Sequence, residues 1–322
     1  MTSALVYGPV PSRRLGRSLG INNIPPKRCP YSCVYCQLGH TVDMQIRRNA
    51  FYQPLELARS VRERVRQLRE QGDLIDYLAF VPDGEPTLDI NLGKEIELLR
   101  ALGIKIAVIT NASLVWHEDV QQDLQKADWV CLKVDAVTPD IWHSINSPHK
   151  KVKLDNILEG ILGFAKLFQG ELTSETMLIR GINDSDGEIR KIAAFLAALK
   201  PAKAYLAIPT RPPAERIEPA TEQTLNTAYQ AFSKKLSRVE YLIGYEGNAF
   251  TSTGNAVDDL LSITAVHPMR EEAVMGLLDR LNKGWEIVQE LIDNGSLVKL
   301  EYQGKKFYAR KILREHPGKN TT

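Results

Sequence analysis

The sequence carries little net charge and has no long apolar run. Its 41 basic and 39 acidic residues leave a formal charge of +2, so we expect no general affinity for nucleic acids or membrane surfaces, and any polyanion site must be a local patch. No apolar run approaches the roughly 18 residues of a membrane span. The first residues also lack the basic and then apolar pattern of a signal peptide. We therefore predict a cytoplasmic protein with no membrane partner.

Cysteine is scarce, with four residues in the whole chain. Cys29, Cys33 and Cys36 lie within eight positions, whereas Cys131 is distant. Such a set is poorly suited to disulfides, and a reducing cytoplasm would keep the thiols free to bind metal. Thiolates are soft ligands for zinc and for iron–sulfur clusters. A C-x3-C-x2-C run on a short loop can therefore bring three sulfurs around one metal centre and leave a further coordination position without a cysteine.

The cysteine run alone leaves two kinds of metal site open. In the first, the three cysteines would bind a structural zinc ion together with His40, because three cysteines and one histidine are a normal zinc set. In the second, they would bind an iron–sulfur cluster. The rest of the chain must separate these two sites.

Apolar runs of strand length alternate with segments of helical periodicity over most of the chain. Strands are predicted at residues 18–24, 75–81, 105–109, 129–134, 176–180, 204–208 and 239–244, and helices at residues 55–71, 91–102, 118–127, 154–168, 186–199 and 221–236. This alternation predicts an α/β fold with a parallel sheet. Six or seven units over about 240 residues fit a barrel or an open partial barrel, with a doubly wound open sheet as the alternative.

Polar or irregular segments follow the predicted strands, at the edge where active groups gather in parallel α/β folds. They are the turn Pro82-Asp83-Gly84-Glu85-Pro86-Thr87, then Asn111, then Lys133 with Asp135, then Gly181 with Ile182, and last Pro209 with Arg211. Lys133 and Asp135 are two residues apart on a strand and therefore share a face. Each segment also has a plain structural interpretation, such as a β–α turn, a helix cap for Asn111 or an ion pair for Lys133 and Asp135.

Three arginines form a second group of candidates. Arg13 and Arg14 lie in a segment punctuated by glycine and proline shortly before the cysteines, and Arg211 lies between prolines. Guanidinium groups bind phosphate or carboxylate through paired hydrogen bonds. We predict that these three arginines face the substrate, with solvated surface turns as the alternative.

The cysteine run, with Tyr35 directly before its last cysteine, resembles the cluster motif of the radical S-adenosylmethionine (SAM) superfamily. The turn at Gly84-Glu85-Pro86 resembles the Gly-Gly-Glu-Pro turn of the same superfamily, with Asp83 in place of the first glycine. The resemblance covers about residues 5–245 and makes zinc the weaker interpretation. The Gly-Pro-Val-Pro-Ser-Arg-Arg segment, the Cys-Gln-Leu-Gly-His continuation and the Arg-Pro-Pro turn are similar to the branch that includes the wyosine-base (4-demethylwyosine) synthases of tRNA. Those enzymes carry further cysteines for a second cluster, and this chain has none before Cys29.

The resemblance implies a partial (β/α)6 barrel, a [4Fe-4S] cluster and SAM as cofactors, and an electron donor of the flavodoxin or ferredoxin type. Cys29, Cys33 and Cys36 would hold three irons, and the fourth iron would bind SAM. It also implies SAM contacts at Tyr35, Asp83, Gly84, Glu85, Pro86, Asn111, Lys133, Asp135, Gly181, Ile182 and Pro209. The reduced cluster would cleave SAM to a 5′-deoxyadenosyl radical that abstracts hydrogen from a substrate, for which tRNA, a peptide and a small metabolite all stay open.

The pattern changes after residue 245. We predict a core at residues 1–245, a linker at 246–259, a winged-helix-like domain at 260–322 and a disordered tail at 315–322. Helices at 270–281 and 285–294 precede a hairpin of strands 297–302 and 306–312. Its basic residues are interleaved with aromatics and could bind a polyanion such as tRNA, or the domain could dock a protein or act as a lid. They are Lys299, Lys305, Lys306, Arg310 and Lys311 beside Tyr302, Phe307 and Tyr308.

Two functions without radical turnover compete with the enzyme. One is a nucleic-acid-binding regulator with a structural metal, which the basic hairpin would favour. The other is a redox-sensing protein that carries a cluster but does not cleave SAM.

Overall fold

The computed structural model describes residues 5–244, 250 and 254–311. The predicted tail at 315–322, and residues 246–249 and 251–253 of the predicted linker, lie outside this part of the chain. The strands are β1 (Val6–Ser12), β2 (Gly16–Ile21), β3 (Arg28–Cys29), β4 (Asp43–Met44), β5 (Tyr77–Phe80), β6 (Lys105–Thr110), β7 (Trp129–Lys133), β8 (Glu171–Met177), β9 (Lys203–Ala207), β10 (Val239–Leu242), β11 (Met269–Arg270), β12 (Leu297–Tyr302) and β13 (Lys305–Arg310). The α-helices are α1 (Pro54–Glu70), α2 (Leu92–Leu99), α3 (Glu118–Leu124), α4 (Pro139–Asn146), α5 (Leu154–Leu167), α6 (Asp186–Leu199), α7 (Glu222–Ser233), α8 (Ala256–Val266), α9 (Glu271–Arg280) and α10 (Glu286–Asp293).

Eight strands form one sheet in the order β1-β2-β5-β6-β7-β8-β9-β10, and this sheet curls into a half-barrel. Neighbouring strands pair in parallel except for β1 and β2, which are antiparallel. Because helices connect the parallel strands, the carboxyl ends of these strands meet at one rim. The prediction of an α/β fold with a partial barrel is confirmed, and the doubly wound alternative is not the one adopted.

The helices pack on the sheet through apolar stripes that the sequence pattern predicts. Leu57, Val61, Val65 and Leu68 recur every three or four residues on α1, and each is at most 1% exposed. Complete burial of such a side chain contributes roughly 1.5–3 kcal/mol relative to an exposed one. The opposite face of the sheet carries a second buried cluster that includes the small residues Ala79, Ala107 and Cys131. Small side chains at these positions leave space inside the half-barrel.

The strand predicted at residues 176–180 is wrong in position, because the structure has β8 at Glu171–Met177. This strand reads Glu-Leu-Thr-Ser-Glu-Thr-Met, and its Thr173, Ser174, Glu175 and Thr176 are all buried. Hydrophobic pattern alone misses such a strand, since polar side chains such as Thr173, Glu175 and Thr176 are buried with partners of their own. The predicted apolar run continues into Leu178 and Ile179, which are buried just beyond the strand.

Besides the two-residue strands β3, β4 and β11, one longer strand and two helices were not expected from the sequence. Residues 6–12 form β1 despite Pro9 and Pro11, which an edge strand tolerates because one side of its backbone needs no partner. Helix α4 fills the stretch between the predicted strand at 129–134 and the predicted helix at 154–168. Helix α8 begins at Ala256, inside the predicted linker.

Residues 254–311, which we call the C-terminal module, contain α8, α9, α10 and a three-stranded sheet in the order β11-β13-β12. Its apolar core includes Tyr7 and Val10 from β1, so the module packs against the edge of the half-barrel. Phe307 and Tyr308 are 1% and 2% exposed. These two aromatic rings therefore form part of the core and are not exposed for stacking on a polyanion such as tRNA, for which the sequence had suggested them together with the lysines.

Candidate active site

The cysteine loop (residues 29–40) is held against α4 and the segment after it by backbone hydrogen bonds. Val34 N donates to Ile145 O at 3.0 Å, and His149 N donates to Pro30 O at 2.8 Å. Within the loop, Cys36 N donates to Cys33 O at 3.0 Å, which closes a tight turn between two of the cysteines. The three thiols are free and half-buried. The fold therefore holds them in a defined place without a disulfide.

Burial favours the protonated form of two of these thiols. It raises the pKa of Cys29 well above the ordinary value, and burial followed by the negative charge of Asp135 raises the pKa of Cys33 to about 12. A cationic metal centre would offset this cost and hold the sulfurs as thiolates. The electrostatics of the loop thus fit a metal-bound state better than a set of free thiolates.

Two asparagine side chains donate to the cysteine sulfurs. Asn111 Nδ2 lies 3.1 Å from Cys29 Sγ, and Asn146 Nδ2 lies 3.4 Å from Cys33 Sγ. Asn111 follows β6, as the sequence predicted for a site residue, whereas Asn146 is the last residue of α4. Sequence reasoning missed Asn146 because it missed the helix. The available signal was Thr138-Pro139-Asp140, since threonine before proline and an acidic residue is a common helix start.

Tyr35 attaches the cysteine loop to the end of β7. Its Oη donates to Asp135 Oδ2 at 2.5 Å, and the same oxygen accepts from Asn146 Nδ2 at 3.0 Å. The other carboxylate oxygen accepts from Met177 N at 2.9 Å. Asp135 is 4% exposed, so its charge is fully engaged by internal donors and serves to position Tyr35 and Asn146.

Lys133 forms a buried ion pair beneath the Tyr35 ring. Its Nζ lies 2.8 Å from Glu175 Oε1 on the neighbouring strand and 4.7 Å from the centre of that ring. Glu175 also pairs with Arg14. Burial alone would favour neutral Glu175, but Arg14 and Lys133 outweigh it and hold its pKa at about 2. Burial likewise opposes the charge on Lys133, yet Glu175 and Asp135 outweigh it and raise its pKa. Arg13 is exposed and adds to the field that lowers the pKa of Glu175.

The turn at residues 82–87 connects β5 to the cysteine loop. Glu85 is 1% exposed, and its carboxylate accepts from Thr87 N and Oγ1, Thr110 Oγ1 and Asn111 N at 2.6–3.1 Å. It therefore ties the turn, including Pro86, to the end of β6. A side chain at Gly84 would place its Cβ 2.2 Å from Arg28 O, next to Cys29. Only glycine allows this close approach of the turn to the start of the cysteine loop.

Asp83 differs from Glu85 although both are buried. It is 2% exposed, and neither carboxylate oxygen has a hydrogen-bond partner among the described residues. Burial raises its pKa to about 7, while Lys27 and Arg310 act in the opposite direction. Arg310 belongs to β13, so the charge of the C-terminal module reaches this turn.

Three of the predicted site residues share one small cavity, whereas Gly181, Ile182 and Pro209 lie in loops outside it. Asn111, Lys133 and Asp135 line one small cavity together with Tyr31, Trp142 and Asn146. Gly181 is exposed and Ile182 half-buried, four and five residues beyond the end of β8, and the turn there is fixed by Asn183, whose Nδ2 donates to Asp135 O at 2.7 Å. Pro209 O accepts from Tyr302 Oη of the C-terminal module at 3.2 Å.

Arg211 joins the cysteine loop to the C-terminal module. Its Nη1 donates to Gln37 Oε1 at 3.0 Å, and its Nη2 lies 2.9 Å from His267 Nε2. Gln37 Nε2 in turn donates to Val266 O at 2.9 Å. Burial and the charge of Arg211 lower the pKa of His267 well below its usual value, so its neutral ring accepts from the guanidinium. Sequence reasoning missed Gln37 and His267, because their partners are remote in the chain.

The donor set fits a multi-iron cluster. Within the described part of the chain, no group of three or more His, Cys, Asp or Glu side chains is arranged to hold a single metal ion. This gives no support to a zinc site built from the three cysteines and His40, which would need all four around one ion. A cluster instead takes one sulfur at each of three irons, and the two amide donors suit thiolate ligands.

Among the described residues, no helix is long and apolar enough to cross a membrane.

Comparison with known proteins gives both a family and a fold. The family model described as the radical SAM superfamily matches residues 23–193. A UPF0026 protein of Methanocaldococcus jannaschii is 47% identical over 311 residues, which cover 96% of each chain.

Two solved structures share the fold at low sequence identity. A radical SAM methyltransferase from Sphaerobacter thermophilus has a TM-score of 0.53 and 17% identity, over 71% of this chain and 66% of that one. TYW1 with a lysine-pyruvate adduct bound has a TM-score of 0.52 and 19% identity, over 69% of this chain and 74% of that one. At such identities these two likenesses bear on the fold alone.

Proposed function

The chain belongs to the radical SAM superfamily and to the UPF0026 family, and on this premise we propose that Cys29, Cys33 and Cys36 hold its [4Fe-4S] cluster. Enzymes of this superfamily use such a cluster together with SAM and need a reductant. When bound, the cluster would supply the single electron for reductive cleavage of SAM, the chemistry by which hydrogen abstraction from a substrate would begin. The observation that carries the proposal is the attachment of the cysteine loop to three strand ends, through Asn111 at β6, Asp135 at β7 and the turn after β5.

The chain's own residues would orient SAM and the cysteine loop. Asn111, Lys133 and Asp135 lie at the carboxyl ends of β6 and β7, and Asn111 Nδ2 is 3.1 Å from Cys29 Sγ, which supports a SAM site at that rim. Lys133 remains cationic because Glu175 and Asp135 raise its pKa, so it suits an anionic group such as the SAM carboxylate rather than nucleophilic chemistry. Contacts of SAM with Tyr35, with residues 83–86 and with Gly181, Ile182 and Pro209 stay predictions, as does a donor of the flavodoxin or ferredoxin type.

Anaerobic reconstitution with iron and sulfide tests the cysteine assignment. We expect about four irons per wild-type chain and SAM cleavage after reduction, and we expect Cys33→Ala to lose both. Cys131→Ala is the matched control, because Cys131 is buried in the half-barrel away from the loop, and it should keep both. Equal iron content in Cys33→Ala and wild type would contradict the assignment.

For the substrate, we propose RNA, with tRNA modification as in the wyosine-base branch. The C-terminal module supports this through a groove of about 520 Å³, lined by Lys283, Lys299, Lys306 and Trp285 among others. Lys306 pairs with Glu271, which also lines the groove, at 3.0 Å. Lys283 and Lys299 beside Trp285 suit phosphates and a stacked base. Three helices with a three-stranded sheet are also consistent with a winged-helix-like domain.

Filter binding of tRNA at two salt concentrations tests this substrate class. Lys283→Ala/Lys299→Ala should weaken binding and reduce its salt dependence, by about 0.9 in log–log slope for each phosphate that the variant no longer neutralises. Lys234→Ala, an exposed lysine after α7, is the control. Salt-independent or absent binding in the wild type would favour a peptide or a small metabolite instead.

A further inference from the structure

We propose that Asn111 and Asn146 set the reduction potential of the cluster by donating N–H···S hydrogen bonds to Cys29 and Cys33. This inference rests on the proposed function, since it requires that these two cysteines are cluster ligands. It assigns to Asn111 an interaction with the thiolate in addition to the predicted one with SAM, and it gives a role to Asn146.

Asn111 is fixed with its amide nitrogen toward Cys29. Its Oδ1 accepts from Ser113 N at 2.9 Å, and its backbone N donates to Glu85 Oε2 at 2.8 Å. The side-chain oxygen is therefore engaged on the other side, and the NH2 group is the end that lies 3.1 Å from Cys29 Sγ. Glu85, which is fully buried, acts as a positioning residue for this donor.

Asn146 is fixed in the same sense by a carboxylate. Its Nδ2 lies 3.0 Å from Asp135 Oδ2 and 3.4 Å from Cys33 Sγ. A carboxylate accepts hydrogen bonds, so the NH2 group must face Asp135 and therefore also Cys33. Asn146 is 4% exposed, and water does not compete for this donor.

Hydrogen bonds to the sulfurs are one of the factors that set the potential of an iron–sulfur cluster. Reduction adds negative charge to the cluster and its thiolates, so an N–H donor stabilises the reduced form more than the oxidised form. Asp135 acts in the opposite direction, because a negative charge near Cys33 disfavours an additional electron. Asn146 lies between the two and partly offsets that carboxylate.

A redox titration monitored by electron paramagnetic resonance (EPR), with iron content measured on the same samples, tests the inference. We expect Asn111→Leu and Asn146→Leu each to retain iron and to lower the midpoint potential. A tenfold fall in the reduced-to-oxidised ratio corresponds to about 59 mV for one electron. The midpoint potential should shift further in the double variant than in either single variant. Asn49→Leu is the control, because that amide donates to Arg47 O at 3.0 Å and not to sulfur.

The outcomes separate the inference from the function on which it rests. A wild-type protein that takes up no iron contradicts the proposed function. If both variants bind as much iron as the wild type and their midpoint potential is unchanged, the inference is overturned and the proposed function is not. Asn111→Ala and Asn146→Ala control for effects that arise only from the size of the leucine side chain. If the leucine and alanine variants all lose iron while Asn49→Leu keeps it, the two amides are needed to keep the cluster bound. That result would also overturn the inference.

Discussion

Tyr35 and Asp135, which are 100 residues apart in the chain, are joined by a hydrogen bond of 2.5 Å from Tyr35 Oη to Asp135 Oδ2. This bond attaches the cysteine loop to the carboxyl end of β7. The same carboxylate holds Asn146 and Met177 N, so one buried charge positions the loop, a sulfur donor and the start of the next turn. The candidate site is therefore built around Asp135 as much as around the cysteines.

Tyr35→Phe should weaken this attachment. The ring over Lys133 would remain, but the buried carboxylate would lose one donor, which costs on the order of 1–3 kcal/mol. Urea unfolding of the metal-free protein measures the effect. Tyr241→Phe is the matched control, because Tyr241 Oη reaches Asn226 Oδ1 at 3.3 Å on the surface, and it should change stability by less than about 0.5 kcal/mol. Equal effects of the two substitutions would contradict a special role for the Asp135 bond.

Glu175→Gln should destabilise the half-barrel, because it leaves Lys133 and Arg14 without their shared carboxylate. Removal of one partner from a buried ion pair costs roughly 3–5 kcal/mol. The folded pKa of about 2 lies below the ordinary value of 4.5, so the ionised carboxylate contributes stability above pH 4.5 and loses this contribution as the pH falls towards 2. The stability difference between wild type and variant should thus be large at pH 7 and smaller at pH 3.5. A difference that grows at low pH would contradict the ion-pair account.

Asp83→Asn should stabilise the metal-free protein, and more so at alkaline pH. Burial raises the pKa of Asp83 from 3.8 to about 7, so the folded state binds its proton more tightly and loses stability as the pH rises through that interval. Replacement by the neutral amide removes this loss. We expect a larger gain in Tm at pH 8 than at pH 5, by thermal unfolding of variant and wild type side by side. Asp155→Asn, at an exposed position of α5, should shift Tm little at either pH, and a similar shift in both variants would contradict the prediction.

Arg211→Lys should loosen the C-terminal module. Lysine keeps the charge but cannot bridge Gln37 and His267 with one planar group. We expect faster hydrogen exchange in α8 and α9, and unchanged exchange in α6, by mass spectrometry. Arg190→Lys is the control, because its pair with Asp186 is on the surface. Unaltered exchange in α8 would contradict a role of Arg211 in holding the module.

The sequence predicted most of the helices that surround the sheet, because helix caps and apolar stripes are local features of the sequence. Helix α6 begins and ends where it was predicted, since Ser185 caps it and an apolar stripe runs through it. Strand β8 was misplaced because four of its residues are buried and polar, a pattern that hydrophobicity cannot identify. The cysteines and the strand-end residues could be named from their types and spacing.

The pairings inside the site could not be predicted in this way. That Asn146 would reach Cys33, or that Gln37 would reach Val266, depends on contacts across 113 and 229 residues. Such contacts are set by the closure of the sheet and by the packing of the C-terminal module on β1. Local sequence pattern carries no information about either.

The most direct test of the central proposal is the EPR spectrum of the anaerobically reduced wild-type protein, recorded before and after SAM is added. If three cysteines hold the cluster and leave one iron open, a reduced [4Fe-4S] signal should be present and should change when SAM binds to that iron. A protein with zinc and no such signal, or a signal that SAM leaves unaltered, would contradict it.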